Sequence, residues 1–493
     1  MIKNKFYITT TIPYANAEPH IGFALELVQA DVIARWNTLL GKDVFFLTGT
    51  DEHGSKNYQT AKKQGLTPQK FVDKNSAKFK ELTKALNISN NDFIRTTDKE
   101  KHWPGVIELW KILEKKGDIY KKKYEGYYCT GCERFITEKD LINGKCSDHP
   151  NLDIKKISEE NYFFKLSKYS TKIKELIKTD KIQILPEKWK NDFLGLIGDG
   201  LTDVSFSREK KHLPWGVPVP GDDNQVMYVW CDALTNYLTG VGFPNKKFEK
   251  YWPADIHLVG KDMLRFHAGI WPGMLLSAGL KLPKKIPVHG FLIVGGQKMS
   301  KSLGNVIAPL ELVKVYPADA IRYYLCKAFV FGDDGDFSEE KLRNSLNNEL
   351  ANDLGNLVSR TLTLCDKYFD GKLTKQKDDG LFNSLKVDKV QQCIDDFEIH
   401  HALDEIWNFI REANKYVNNN EPWKREDKRE IVLYNILEAL RVASILLYPF
   451  IPETSEKINK QLGISPGILK DIKFGLVKQY KIKKEGILFK KIE

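Results

Sequence analysis

Three groups of residues in this 493-residue chain have the types and spacing to do chemistry. In "GGQKMSKSLGN", Gly295 to Asn305, two lysines (Lys298, Lys301) and two serines (Ser300, Ser302) lie in a glycine-flanked loop. That composition suits a solvated surface turn, and equally a mobile cationic loop that closes on phosphate. In "PYANAEPHIGF", Pro19 and His20 stand where an expected strand turns into an expected helix. An imidazole and free backbone N–H groups then share the positive end of that helix, and Gly22 would let a flat base approach the backbone. A histidine at a helix start is also an ordinary cap or surface residue. The third group is Cys129-x2-Cys132, thirteen residues, then Cys146-x2-His149. Three thiolates and an imidazole suit one tetrahedral Zn²⁺, and four protein ligands leave no open position, so such a metal is structural. The alternative is a set of reduced, unliganded cysteines.

The flanking text supplies the elements that must position these groups. "KFYITTTIPY" has strand composition, "IGFALELVQADVIARWNTLLG" has helical periodicity ending at Gly41, and "DVFFLTGT" reads as a buried parallel strand. Together they make a βαβ unit. The alternation returns with "IHLVG" from Ile256, a helical "MLRFHAGIWPGMLLSAGL", and "IPVHGFLIVGG" leading into the lysine loop. In an open parallel sheet, ligands bind beyond the carboxyl ends of the strands, so His20 and the lysines can face the same phosphates. Neither GxGxxG nor GxxxxGK[ST] occurs, so a nucleotide would be held another way.

Between the two halves, from about Tyr124 to Trp215, the cysteine cluster and basic connectors read as an insertion. After about Glu339 the glycine-poor amphipathic pattern indicates a helical bundle to about Leu462, followed by a short basic tail returning as a strand or two. The length suggests roughly three domains. Hydrophobic content of 42% and charged content of 29% belong to a globular protein with real cores. A net charge of +11 is compatible with a polyanionic partner without requiring one. The N-terminus lacks a signal-peptide core, and "IVLYNILEALRVASILLYPFI" is interrupted by Asn435, Glu438 and Arg441, so no membrane span is expected. Seven cysteines without a disulfide pattern point to the reducing cytoplasm. Four of them, Cys231, Cys326, Cys365 and Cys393, lie in apolar segments and read as buried thiols.

"HIGF" followed by "KMSKS" resembles the paired signatures of class I aminoacyl-tRNA synthetases. "FLTGTDEHGSK", "CTGCERF", "YVWCDALTNYL", "GKDMLRFHA", "VHGFLIVGGQKMSKSLGN", "ANDLGNLVSR" and "NNNEPWK" resemble, in order, the blocks of the methionyl-tRNA synthetase family. The resemblance implies an α/β fold: a split Rossmann-like parallel-sheet catalytic domain (1–123 and 216–338), an insertion with a zinc knuckle (124–215), a helical anticodon-binding domain (339–462) and a tail (463–493). It implies a ligase that activates methionine with ATP and Mg²⁺ and transfers it to tRNA(Met), the initiator included. His20, Lys298 and Lys301 would be catalytic, with Asn16, Gly22 and Ser300 joining them around ATP. Positive charge on a loop meets the negative charge that builds when a carboxylate attacks the α-phosphate and pyrophosphate departs. The family's first signature usually ends in a second histidine; Phe23 stands there and can donate no hydrogen bond.

By the same resemblance the methionine pocket comprises Ile12, Tyr14, Trp230, Ala233, Leu234, Tyr237, Met263 and His267, with Asp51 on the substrate ammonium and Asp262 helping to orient the substrate. Apolar and aromatic walls suit a polarizable thioether. Taken singly, Trp230 and Tyr237 read as core aromatics. Leu234, Thr235 and Asn236 replace a proline-containing sequence of some members. The zinc ligands would be Cys129, Cys132, Cys146 and His149, and the anticodon readers Asn356, Arg360, Pro422 and Trp423. Asn356 and Arg360 are four apart and so share a helix face, and an indole can stack an unpaired base. An Asn/Arg pair with a bundle Trp is otherwise an ordinary structural feature. The chain ends soon after the bundle, so no appended C-terminal module is expected, and a monomer is the simpler arrangement. Two rivals stand beside this reading: a class I synthetase for a branched aliphatic amino acid, which would need a much longer editing insertion, and a non-enzymatic tRNA-binding paralogue, for which only Phe23 speaks.

Overall fold

The structure is a computed structural model and describes residues 4–129, 134–136, 141–142, 144–147, 154–299 and 304–493. The first strand, β1 (Lys5–Thr9), is β-branched and aromatic, and all but its first residue are buried. Helix α1 (Ile21–Leu39) is buried on nearly every side. A helix enclosed all round belongs between layers of the molecule. Strand β2 (Asp43–Thr50) follows, then β3 (Asp92–Arg95). Two long antiparallel strands, β4 (Ile119–Cys129) and β5 (Lys155–Phe164), form the arm of the expected insertion, in register from Ile119 opposite Phe164 to Tyr128 opposite Lys155.

The remaining strands of the main sheet are β6 (Gln183–Leu185), β7 (Ile256–His257), β8 (Val259–Gly260) and β9 (Lys285–His289). All ladders of this seven-stranded sheet are parallel, in the order β8-β9-β7-β1-β2-β3, with β6 also pairing with β9. The chain winds outward from β1 to β2 and β3, then crosses back to place β7 on the other side of β1. The order therefore reverses between β1 and β7, and the crevice at such a switch point is where open α/β sheets bind ligands. Strand β6 lies in the stretch expected to be all insertion (124–215), yet it pairs with Lys285–Pro287 of the catalytic sheet. Three residues are too few to carry a recognisable pattern on their own.

Helix α2 (Val229–Leu234) precedes β7, and α3 (Ala318–Lys327) leads into the bundle of α4 (Asn356–Phe369), α5 (Ile399–Asn420), α6 (Arg429–Leu447) and α7 (Pro452–Leu462). A single apolar core runs from α1 through α3 into the bundle. The expected tail is part of that core: Tyr480 and Phe489 are buried in it, Gln479–Lys481 pairs with Lys372–Thr374, and the Tyr480 hydroxyl donates to Glu438 Oε1 at 2.6 Å.

The polar joint between sheet and bundle is Asp31, in the middle of α1 and fully buried. Its carboxylate pairs with Arg322 Nη2 at 2.7 Å and Arg35 Nε at 2.8 Å, and accepts from Ser89 N at 2.7 Å. Arg322, also fully buried, donates to the carbonyls of Phe450, Pro449 and Leu86, so one guanidinium ties α3 to the α6–α7 turn and to α1. Burial alone would raise the Asp31 pKa; the two guanidiniums and Ser89 hold it below the usual carboxylate range. Its contribution to stability is complete above that range and is lost as pH falls through the depressed folded-state value. Replacing Arg322 by Met strands three carbonyls and half of the Asp31 charge, and is expected to cost about 3–5 kcal/mol, read as a lower urea midpoint; a midpoint unchanged from wild type would contradict this joint.

Candidate active site

A cavity of about 390 Å³ opens where the switch point predicts it, and its lining comes from the segments that follow the parallel strands. After β1 come Ile12, Tyr14, Asn16, His20 and Gly22; after β2, Asp51 and Lys56; after β8, Asp262, Met263 and His267; from the last residue of β9 onward, His289 to Leu292 and then Lys298. Helix α2 adds Trp230, Ala233 and Leu234, and Tyr237 follows it. Every residue expected at the ATP or methionine site therefore lines one cavity, except Ser300 and Lys301, which lie outside the described residues.

Asp51 is 4% exposed, and its backbone is locked to the β1 exit loop, with Asp51 N–H donating to Pro13 O and Ala15 N–H to Asp51 O, each at 2.9 Å. The wall opposite is aromatic: Trp230 stacks on Phe266 with centroids 3.5 Å apart and planes 13° from parallel. At its base the tautomers follow from the partners. His267 Nδ1 faces the Met263 carbonyl at 2.9 Å and must donate, so Nε2 accepts from the Tyr237 hydroxyl at 2.6 Å. In the same way His257 Nε2 accepts from Trp271 Nε1 at 3.2 Å, leaving its Nδ1 to donate to Thr9 Oγ1 at 2.7 Å. Burial pushes the His267 pKa down to about 4, and that of His257 well below its usual value. The base of the pocket is neutral.

The other end of the cavity is charged. His20 caps α1, where Gly22 N–H donates to His20 Nδ1 at 3.1 Å. A Cβ on Gly22 would stand 2.9 Å from the imidazole Cε1, so a larger residue there would turn the capping ring aside. Phe23, in place of the family's second histidine, is 6% exposed and packs edge-on against Phe79 at 5.4 Å. Lys298 lies on the second strand of a hairpin (Leu292–Val294 with Gln297–Lys298) whose turn residues Gly295 and Gly296 have φ of 59° and 74°, as a two-residue reverse turn requires. Both glycine N–H groups donate to the Asp336 carboxylate, at 2.9 and 3.0 Å, so the stem of the lysine loop is pinned.

Glu26 and His289 are among the cavity residues that escaped the sequence reading. Glu26, 4% exposed, accepts from Thr11 N and Oγ1 at 2.5 and 2.6 Å, and from His289 Nε2 at 2.8 Å. His289 Nδ1 faces the Gly290 carbonyl at 2.7 Å, so both of its nitrogens donate and the ring is an imidazolium. Burial opposes that charge, but the hydrogen bond and charge of Glu26 raise the His289 pKa above its usual value. No local pattern marks the pair, because 263 positions separate its members. A second cavity of about 490 Å³ shares Tyr14, Lys56, Trp230, Asp262, Met263, Phe291 and Lys298 with the first and adds Asp192, Arg265 and Lys261, the last paired with Asp334 at 2.6 Å, so cationic side chains outnumber carboxylates along it.

Among the expected zinc ligands, Cys129 and Cys146 are buried in one small cluster with Leu141 and Ile154 packed against it, while Cys132 and His149 lie outside the described residues. Two thiols drawn together from a strand end and a short hairpin fit half of a tetrahedral donor set. In the bundle, Asn356 is exposed and Arg360, one turn on, donates to Asn418 Oδ1 at 2.7 Å with its guanidinium 5.8 Å from the Trp423 ring. Pro422 is buried, its carbonyl accepting from Arg429 Nε at 2.6 Å, and Trp423 is half-buried beside it. Asn418 is the member of this group that the sequence reading missed, although it belongs to the quoted "NNNEPWK".

A switch-point cavity on a parallel sheet with a helical bundle behind it defines the class I synthetase architecture, and comparison with known proteins agrees. The family model described as tRNA synthetases class I (M) matches residues 6–153 and 139–362, and that of the anticodon-binding domain of tRNA ligase matches 383–487. The methionine–tRNA ligase of Caldanaerobacter subterraneus subsp. tengcongensis is 46% identical over 100% of this chain and 80% of its own, and that of Thermotoga maritima 45% identical over 93% and 75%. Methionyl-tRNA synthetase of Mycobacterium tuberculosis in complex with methionyl-adenylate superposes with a TM-score of 0.94 at 38% identity, covering 99% of both chains; the free form of that enzyme gives 0.87 at 36%, covering 100% of this chain and 99% of its own. The chain belongs to the methionyl-tRNA synthetase family.

The neutral state of His267 has a measurable consequence. Between pH 6.5 and about 4 the unfolded chain binds a proton at this residue that the folded protein refuses, so stability falls as pH drops through that window and levels off below it. The difference amounts to roughly 3 kcal/mol at most. His267→Gln is expected to flatten the pH dependence of the urea midpoint between pH 6.5 and 4; an unchanged slope would show that the ring is not buried neutral.

Proposed function

We propose that the protein is a methionine–tRNA ligase that joins methionine and ATP into methionyl-adenylate and then esterifies the 3′ end of tRNA(Met), initiator tRNA included. The observation that carries this reading is one cavity with two unlike ends: a neutral aromatic and apolar pocket beside the Asp51 carboxylate, and an imidazole-capped helix N-terminus beside the stem of the lysine loop. Asp51 takes the substrate ammonium. Ile12, Tyr14, Trp230, Ala233, Leu234, Tyr237, Met263 and His267 enclose the thioether, whose sulfur is held by polarizable contact and not by charge. With its ammonium and side chain fixed, the substrate carboxylate points to the phosphate end of the cavity.

Asn16, His20 and Gly22 hold the nucleotide, with Lys298, Ser300 and Lys301 reaching its phosphates together with the Mg²⁺ that accompanies ATP. A carboxylate oxygen attacks the α-phosphate and the bond to pyrophosphate breaks. No protein nucleophile is needed, so positioning and electrostatic stabilisation carry the step. Next, the hydroxyl of the tRNA's terminal adenosine attacks the activated carbonyl and AMP leaves; the cationic second cavity suits the entry of that anionic strand. The glycine hairpin and Asp336 give the loop a fixed root from which Lys298 and Lys301 close and later release pyrophosphate.

A structural zinc held by Cys129, Cys132, Cys146 and His149 would stiffen the tip of the β4–β5 arm. The ligand spacing supports it, as does the burial of Cys129 and Cys146 in one cluster. Asn356, Arg360, Pro422 and Trp423 would read the CAU anticodon, with Asn418 orienting Arg360. The protein acts as a cytoplasmic monomer in this reading, with the catalytic unit (1–123 and 216–338) taking in β6 from the insertion (124–215), and with the helical domain (339–462) taking in the tail (463–493).

Charging of an unmodified tRNA transcript with a CAU anticodon tests the whole reading. Trp423→Ala is expected to lower kcat/KM for that transcript about 10- to 100-fold while adenylate formation from methionine and ATP stays near wild type. Lys298→Ala shows the reverse split, with adenylate formation down about 100-fold or more and transcript binding preserved. Equal loss of both activities in either variant, or charging indifferent to the anticodon, would contradict the assignment.

A further inference from the structure

We infer that Asp232, clamped between His53 and His102, is the positioning residue that sets the amino-acid wall of the cavity against Asp51, so that recognition of the amino acid depends on it and recognition of ATP does not. The inference rests on the methionine-activation reading and adds to it a group that does not itself line the cavity. Asp232 is fully buried. Its Oδ2 lies 2.6 Å from His53 Nδ1, and its Oδ1 lies 3.0 Å from His102 Nε2. His102 Nδ1 meets the Thr239 hydroxyl at 2.8 Å. The carboxylate can only accept, so each imidazole donates to one of its oxygens, and the Thr239 hydroxyl holds the far side of the His102 ring. Burial alone would raise the Asp232 pKa; the two imidazoles keep it below the usual carboxylate range, so the acceptor stays ionised.

The positions joined by this carboxylate are the two walls of the amino-acid site. His53 is two residues beyond Asp51, on the segment leaving β2. Between them, Glu52 is ion-paired to Arg95 of β3 at 2.6 Å, and its carbonyl accepts from Trp215 Nε1 at 2.8 Å. Trp215 also packs edge-on against the His53 ring at 5.2 Å. The Asp51 segment is therefore fixed to the sheet, and His53 is its link across the cavity. On the far side, α2 carries Trp230, Ala233 and Leu234 onto the pocket, with Asp232 turned toward the histidines. Helix α2 has six residues and no side-chain N-cap. A segment that short has little helical stability of its own and takes its position from tertiary restraints. The apolar residues of α2 are packed in the surrounding core, and its polar restraint is one acceptor-only group gripped from two elements, His102 standing at the start of the Trp103–Lys115 helix. Losing either grip lets the wall shift, and a displacement of about 1 Å at a substrate-positioning surface costs up to roughly 100-fold. Among the described residues, His20 bonds to Gly22 and the Lys298 carbonyl to Asn305, and neither residue bonds to Asp232, His53 or His102.

The test uses the full chain in ATP–pyrophosphate exchange, with KM for methionine and for ATP measured separately beside a thermal melt. His53→Ala, His102→Ala and Asp232→Asn are expected to raise KM for methionine about tenfold or more, with KM for ATP within about twofold of wild type. His53→Asn, which restores a donor at the Nδ1 position, and His102→Gln, which restores one at Nε2, are expected to bring KM for methionine back to within about threefold. Thr239→Val removes only the hydroxyl that orients His102 and gives a smaller rise in the same direction, which keeps the test decisive should an alanine variant fail to fold. Folded variants with wild-type KM for methionine would overturn the inference. So would KM values for both substrates rising together with a fall in melting temperature, without rescue by the isosteres. A wild-type protein that exchanges with amino acids other than methionine would instead overturn the reading on which the inference rests, while leaving the split between amino-acid and ATP KM available to judge the positioning role.

Discussion

Helix α1 is held at its N-terminus and at its middle, and the rest of the structure depends on that. Its N-terminus, capped by His20, forms one side of the cavity, while Asp31 in its middle is bound by two guanidiniums, one of which reaches the backbone of the α6–α7 turn. A buried carboxylate shared by two arginines and an amide has few alternative partners, so it fixes register as well as proximity. The sheet, the phosphate-side turn and the bundle are thereby referred to one rigid rod. An enzyme that must read a tRNA at the bundle and react at the cavity needs such a fixed relation between them.

Within the cavity, the chemistry is divided by giving the same side chain opposite states. His267 and His257 are surrounded by aromatic rings and neutral partners, and burial keeps them uncharged. His289 is just as buried but faces Glu26 and a carbonyl, and it is an imidazolium. The first arrangement leaves the imidazole wall of the cavity uncharged. The second places a compensated ion pair where α1 meets the end of β9, close to the turn that supports the lysine loop. Desolvation acts on both sites, and the local partner decides the outcome.

The sequence was most legible where the chemistry is local. The His20 turn and the helix face shared by Asn356 and Arg360 each lie within a dozen residues, the strand–helix–strand unit is continuous from Lys5 to Thr50, and the structure has them as read, while Lys298, read as part of a loop, stands on the second strand of a hairpin. The methionine pocket was legible only through family resemblance, since Trp230 and Tyr237 alone look like core. What could not be read is what depends on distant partners: Glu26 with His289, Phe266 under Trp230, and Asp232 between two histidines more than a hundred residues away. Strand β6 was hidden for the same reason, because its identity comes from pairing with β9 and not from its three residues. The tail was read as a short basic segment returning as a strand or two, and Gln479–Lys481 is such a strand; what its short polar segments could not show is that Tyr480 and Phe489 are buried in the bundle core.

The central claim is that the two ends of one cavity bring a thioether amino acid and a triphosphate together. Its most direct test is exchange of labelled pyrophosphate into ATP by the wild-type protein, run separately with each of the twenty amino acids. The account requires exchange with methionine, at a rate that none of the others approaches and that is sustained with Phe23 in place of a second histidine. Folded protein that exchanges with no amino acid, or best with a branched aliphatic one, would contradict it.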